Sequence, residues 1–199
     1  LHKEYRRQRQ MCIRDRDDTG KVDLDQLEEA LTDDTILVSI MFVNNEVGTV
    51  EPIYDIENIV SNSNALLHVD AVQAISHLDI KFSEFNIDTM SITAHKFGGP
   101  KGVGILLVKN NTPIEYSQLG GEQETKRRAG TESVPQIVGM TKALEIATKN
   151  RDQNNIHLMQ LKELFLVSLQ ERAIPFEVNG SMVETTGHIL NLYFPFIDV

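Results

Sequence analysis

Apolar residues fall along this chain in short continuous blocks and in spaced stripes, and their alternation predicts strands and helices in turn. Leu24, Leu27 and Leu31 recur at helical spacing, and Asp33 and Asp34 close that short helix. Residues 35–42 (TILVSIMF) form a nearly unbroken apolar run, the mark of a strand buried on both faces of a parallel sheet. A polar turn, Asn44-Asn45-Glu46-Val47-Gly48, follows it. Pro52 suits the first turn of a helix that reaches about Val60. Residues 65–69 (ALLHV) read as a second strand ending at Asp70, residues 88–93 as a third, and residues 103–108 as a fourth after a glycine-rich turn. Residues 113–133 form a loop of low apolar content, and a loop of that length is usually functional. Residues 134–171 are strongly helical, with one stripe of Ile137, Met140, Leu144 and Ala147 and another of Leu158, Leu161, Phe165 and Leu169. After Pro175 the pattern returns to β (FEV, then HILNLYF).

The alternation predicts an α/β fold with a mostly parallel sheet flanked by helices. In such sheets ligands sit outside the carboxyl ends of the strands. Asn45, Asp70, Thr93, His95 and Lys96 all fall at or just beyond such ends.

The net charge of -10 over 199 residues argues against general nucleic-acid binding. No apolar run is as long as a membrane span. The one cysteine, Cys12, excludes a disulfide framework and a multi-cysteine zinc site, and it fits a reducing cytoplasm. His68, His77 and His157 lack metal-ligand spacing and are assigned to packing or surface, so no metal site is expected. Residues 1–16 differ from the rest: five arginines crowd there with no periodic apolar face. They read as a non-native or disordered tail, with a basic nucleic-acid arm as the alternative. Met11-Cys12-Ile13-Arg14-Asp15-Arg16 resembles translated sequencing adapter.

The chemistry concentrates in Ser91-Ile92-Thr93-Ala94-His95-Lys96-Phe97-Gly98-Gly99-Pro100-Lys101-Gly102. A lysine that leaves a strand into a glycine turn can form a Schiff base with a carbonyl cofactor, provided its amine can become neutral. The plain alternative is a surface lysine. Such a cofactor needs a carboxylate at its ring nitrogen, and Asp70 ends an apolar strand, although it could also cap a helix. Gln73 could donate to a ring oxygen or simply be solvated. Thr93 and His95 could hold a phosphate, or His95 could be an ordinary loop histidine. The run is not a Walker A loop, because glycine rather than Ser or Thr follows Lys101.

With those residues in place, four segments carry a resemblance: VSIMFVNNEVGTVEPI, HVDAVQA, DTMSITAHKFGGPKGVGIL and GGEQETKRRAGTESVPQIVGM. Together they resemble the cysteine desulfurases of the NifS/IscS type, in the class V aminotransferase group of pyridoxal phosphate enzymes. The resemblance implies the fold type I transferase large domain in truncated form, with the beginning of a small α+β domain. It divides the chain into the tail 1–16, a cofactor-binding region 17–150, and a linking helix with the start of the small domain at 151–199. It implies pyridoxal 5'-phosphate as cofactor. Lys96 would be the Schiff-base lysine and proton carrier, with His95 beside it in the catalytic set. Asp70 would pair with the ring nitrogen, Gln73 and Asn45 with the ring oxygen, and Thr93 and His95 with the phosphate. Thr131 would reach the phosphate of a neighbouring subunit, which implies a homodimer.

The implied reaction takes sulfur from L-cysteine, leaves L-alanine and an enzyme persulfide, and serves iron–sulfur cluster assembly or tRNA thiolation. Acceptor or scaffold proteins are the implied partners, in the cytoplasm, with no direct nucleic-acid or membrane contact. Several departures qualify this. Thr93 stands where many relatives have serine. The persulfide cysteine, the substrate-binding arginine, the ring-stacking histidine and a Gly-Thr phosphate loop match nothing in this chain, so the chain alone is expected to be inactive and to expose sheet edges. Another class V enzyme, such as a selenocysteine lyase or an aminotransferase, and a non-catalytic relative of the fold are the alternatives.

Overall fold

The computed structural model describes residues 17, 19–115 and 118–197. The expected tail of residues 1–16, with Cys12, lies outside them. The described chain runs α1 (Leu24–Ala30), β1 (Leu37–Met41), α2 (Ile53–Ser61), β2 (Leu66–Asp70), β3 (Thr89–Thr93), β4 (Gly104–Val108), α3 (Gln123–Lys126), α4 (Val134–Glu171), β5 (Glu177–Asn179) and β6 (Asn191–Tyr193).

The main sheet has the order β1-β2-β3-β4. β1 pairs with β2 in parallel, and β2 with β3 in parallel. β4 returns antiparallel to β3, with Thr93 opposite Gly104. Only residues 94–103 join these two strands, and a parallel crossover needs about a dozen residues or more. Gly104 is required at this return: a Cβ there would lie 2.8 Å from the Ile92 carbonyl oxygen. The mostly parallel sheet flanked by helices is thus present, with one antiparallel strand.

α2 buries Ile53, Ile56 and Val60, one helical face, into the core that holds Leu67 and Val69 of β2 and Met90 and Ile92 of β3. α4 joins the same core through Met140, with Ala143, Leu144 and Ala147 packed against it. Asp23 caps α1, its side chain accepting from the Gln26 N–H at 3.0 Å. Among the described residues, no helix is long and apolar enough to cross a membrane.

Two expectations are corrected. The run 35–42 was expected to be buried on both faces, yet Ile36 is 77% exposed and Leu37 52%. β1 is the edge of the described sheet, so only its alternate residues meet the core. The second stripe of α4 also differs: Leu161 and Phe165 stay exposed, 47% and 51%, while the neighbouring Lys162 is the buried residue, seated on Thr185. The loop 113–133 carries one short turn, α3, in which Glu124, Thr125 and Lys126 take left-handed φ of 51°, 56° and 69°.

Leu67 is the test of the core. It is 1% exposed, on β2 between β1 and β3. Leu67→Ala is expected to lower unfolding free energy by about 3 kcal/mol in urea titration. A loss under about 1 kcal/mol would show that β2 is not at the centre of the core.

Candidate active site at the carboxyl edge of the sheet

Parallel pairing brings the chemistry together. Met41 pairs with Asp70 and Asp70 with Ser91, so β1 and β2 end in one row while β3 runs two residues further, to Thr93. The ladder continues one step further: Phe42 N–H donates to the Asp70 carbonyl and Ala71 N–H to the Ser91 carbonyl, both at 2.9 Å. Beyond β1 lies the turn with Asn45, beyond β2 the turn with Gln73, and beyond β3 the segment with His95 and Lys96.

Ala94–Phe97 is a 3-10 turn with a division of labour. Ala94 and Phe97, three residues apart and so on one face, are buried in the core. That anchoring turns His95 and Lys96 outward, where both are exposed. Gly98 closes the turn in the left-handed region, at φ 81°. The Thr93 hydroxyl and His95 Nδ1 meet at 3.1 Å.

Asp70 shares the open face of β2 with His68, while Leu67 and Val69 point into the core. One oxygen of Asp70, Oδ1, accepts from the Val72 N–H at 2.8 Å and holds the following turn. The capping alternative is thus partly realised, by a turn rather than a helix. His68 packs behind Asp70, its Nδ1 2.8 Å from the Thr89 hydroxyl and its Nε2 3.4 Å from that of Ser91. Burial holds His68 below the usual histidine range, against the opposing pull of Asp70.

The two asparagines of the first turn have different work. Asn44 is 7% exposed, and its Oδ1 accepts from the N–H groups of Glu46 and Val47 at 2.9 and 3.1 Å. Asn45 is exposed. Asn44 builds the turn and leaves the Asn45 side chain on the open side. Thr131 is exposed in the loop before α4, with no described contact to the other candidates. The structure therefore brings Asn45, Asp70, Gln73, Thr93, His95 and Lys96 to one edge, and Thr131 makes no described contact with them.

Several polar residues around this edge have no part in the site as read from sequence, which assigns His77 and His157 to packing or surface and gives His188 and Lys162 no role. A cavity of about 350 Å³ opens beside Lys96, between Ser76 and His77 on one side and Asn150, Asn154 and His157 of α4 on the other. His77 stacks face to face on His188, ring centroids 3.7 Å apart and planes 5° apart. Asn155 of α4 holds His77 twice, Oδ1 3.0 Å from the ring Nδ1 and Nδ2 donating to the His77 carbonyl at 2.6 Å. His188 Nε2 lies 3.5 Å from Gln73 Oε1. Lys162 of α4 is 7% exposed and donates to the Thr185 hydroxyl at 3.2 Å, and burial pulls its ammonium below the usual lysine range.

His188 is pushed down to about 4, first by burial, then by the neighbouring charges of His77, Lys96 and Lys162. Burial also lowers His77. The sign follows from linkage: between the ordinary histidine value of about 6.5 and about 4, the unfolded chain binds protons that the folded chain refuses. Stability is then full above about 6.5 and falls as the pH is lowered toward 4. Urea midpoints should drop over that interval, and the drop should be shallower in His188→Asn. Equal slopes for the two proteins would contradict the burial of a neutral His188.

A sequence model of the family described as aminotransferase class-V matches residues 5–198. A cysteine desulfurase IscS of Clostridium botulinum (strain Hall) is 42% identical over 183 residues, 92% of this chain and 46% of the relative. Among solved structures, a NifS-like protein superposes with a TM-score of 0.86 at 38% identity, over 90% of this chain and 49% of that one. SspA in complex with cysteine superposes with a TM-score of 0.73 at 34% identity, over 88% of this chain and 48% of that one. The chain spans about half the length of the curated relatives it matches.

Proposed function

The chain belongs to the aminotransferase class-V family, and on that premise we propose that it is the cofactor-holding region of a pyridoxal phosphate-dependent cysteine desulfurase. In this reading L-cysteine and an enzyme thiol give L-alanine and an enzyme persulfide. The carbon–sulfur bond of the substrate breaks, and a sulfur–sulfur bond forms on the enzyme. The observation that carries the reading is the shared carboxyl edge of β1, β2 and β3, at or just beyond which stand an amine, a carboxylate, two amides and a hydroxyl–imidazole pair. The names of the similar proteins support cysteine as substrate.

The donor set fits pyridoxal 5'-phosphate. That group needs an amine at its carbonyl, a carboxylate at its ring nitrogen, donors at its ring oxygen, and hydroxyl and N–H groups at its phosphate. Thr93 and His95, already 3.1 Å from each other, offer a hydroxyl and a ring nitrogen together. When bound, the group supplies an electron sink for the bonds around the substrate α-carbon. Lys96 holds it covalently and moves a proton at the substrate carbon. Asp70 keeps the ring nitrogen protonated through Oδ2, while Oδ1 accepts from the Val72 N–H. Gln73 and Asn45 donate to the ring oxygen, and Thr93 and His95 bind the phosphate. Thr131, exposed in the loop before α4, serves the site of a second subunit in a homodimer. Residues 17–150 form the cofactor region, and residues 151–199 the linking helix and the start of a smaller domain. The persulfide-forming step is assigned to no residue of this chain. Delivery of sulfur to an iron–sulfur scaffold or a tRNA-thiolation acceptor, in the cytoplasm, completes the reading.

The full-length protein loaded with pyridoxal 5'-phosphate should show a protein-bound visible absorption band and release alanine from L-cysteine. Lys96→Ala should lose the band and slow alanine release by about a thousandfold or more. A Lys96→Ala protein that retained both would overturn the assignment.

A further inference from the structure

We propose that His188 is a positioning residue for this site: stacked on His77, it donates a hydrogen bond to Gln73 Oε1 and so turns the NH₂ end of the Gln73 amide toward the cofactor. The proposal rests on the reading of Gln73 given above and goes beyond it, since it makes the segment between β5 and β6 part of the site.

Three observations converge on His188. Its ring lies flat on His77 at 3.7 Å, and His77 is itself held by two contacts to Asn155 of α4. The stack therefore clamps the imidazole plane. In that plane Nε2 faces Gln73 Oε1 at 3.5 Å, a long contact in which the ring orientation, more than the bond itself, sets the geometry. The other ring nitrogen, Nδ1, is buried and has no hydrogen-bond partner among the described residues. A buried N–H without an acceptor is costly. That cost places the single ring proton on Nε2, which makes Nε2 the donor and Gln73 Oε1 the acceptor.

The consequence lies in the amide. Its oxygen and its NH₂ group sit on opposite sides of one carbon, so holding Oε1 at His188 aims the two N–H donors the other way. A ring oxygen that carries negative charge needs a donor from Gln73, and the flipped amide would present an oxygen to it. His188 thus selects between the two orientations of one side chain. The segment that carries it is firmly seated: Thr186 N–H donates to the Gly48 carbonyl at 3.0 Å, and Thr185 forms a β-bridge with Thr49.

The full-length protein tests this in two stages. Without cofactor, imidazole nitrogen resonances should report the Nε2–H tautomer for His188, and His188→Phe, which keeps a ring for the stack but no donor, should move the Gln73 side-chain amide resonances. With pyridoxal 5'-phosphate bound, Gln73→Ala should shift the pH midpoint of the absorption band by about one unit. His188→Phe should shift it in the same direction, the double variant should shift it no further, and His188→Asn, which restores a donor, should bring it most of the way back. An Nδ1–H tautomer overturns the proposal without any variant. A midpoint that Gln73→Ala moves and His188→Phe does not move overturns it while leaving the reading of Gln73 intact. A midpoint that Gln73→Ala leaves in place removes Gln73 from the cofactor, and the proposal with it.

Discussion

Everything at the candidate site depends on the parallel register of β1, β2 and β3. Met41, Asp70 and Ser91 stand in one row across the three strands. Because the strands run in one direction and end within two residues of one row, three separate stretches of sequence release their polar residues at the same edge. A slip of one residue in β2 would move Asp70 to the other face of the sheet and bury Leu66 in place of Leu67. The apolar residues that forbid the slip, Leu67 and Val69 on β2 and Met90 and Ile92 on β3, therefore set the chemistry as well as the stability.

The C-terminal segment acts on the same edge from outside. The fully buried Thr49 hydroxyl donates to the Thr19 carbonyl at 2.6 Å and accepts from the Ser181 N–H at 3.0 Å, tying three distant segments together. Val50 N–H donates to the Glu184 carbonyl at 2.9 Å, and the Asn191 amide reaches the Glu46 carbonyl at 3.3 Å. These bonds grip the turn that presents Asn45. Gly48, at φ 76° and with the Ile189 side chain 3.0 Å from where its Cβ would be, lets the two segments approach this closely. The His77–His188 stack extends the grip to the turn after β2.

Much of this was legible in the residues alone. The strands were marked by apolar runs, and the candidate residues by their places at strand ends. The brevity of the 94–103 connection also contained the antiparallel return of β4. What the sequence did not disclose was which residue of a pair did which task. Asn44 and Asn45 are adjacent and chemically identical, and only the turn geometry makes one a scaffold and the other free. His188 was hidden for a different reason: it sits in an apolar stretch and meets Gln73 across 115 positions, a separation that local patterning does not span. The exposure of Ile36 and Leu37 was likewise hidden, since an apolar run does not say whether its strand has a neighbour on each side.

The central claim is that Lys96 is the amine that holds the cofactor. Reduction of the pyridoxal phosphate-loaded protein with borohydride fixes the group on whichever lysine carries it, and peptide mass mapping then identifies that lysine. The account predicts the reduced adduct on the peptide containing His95 and Lys96, at Lys96. An adduct confined to Lys101, Lys162 or any other lysine would contradict it.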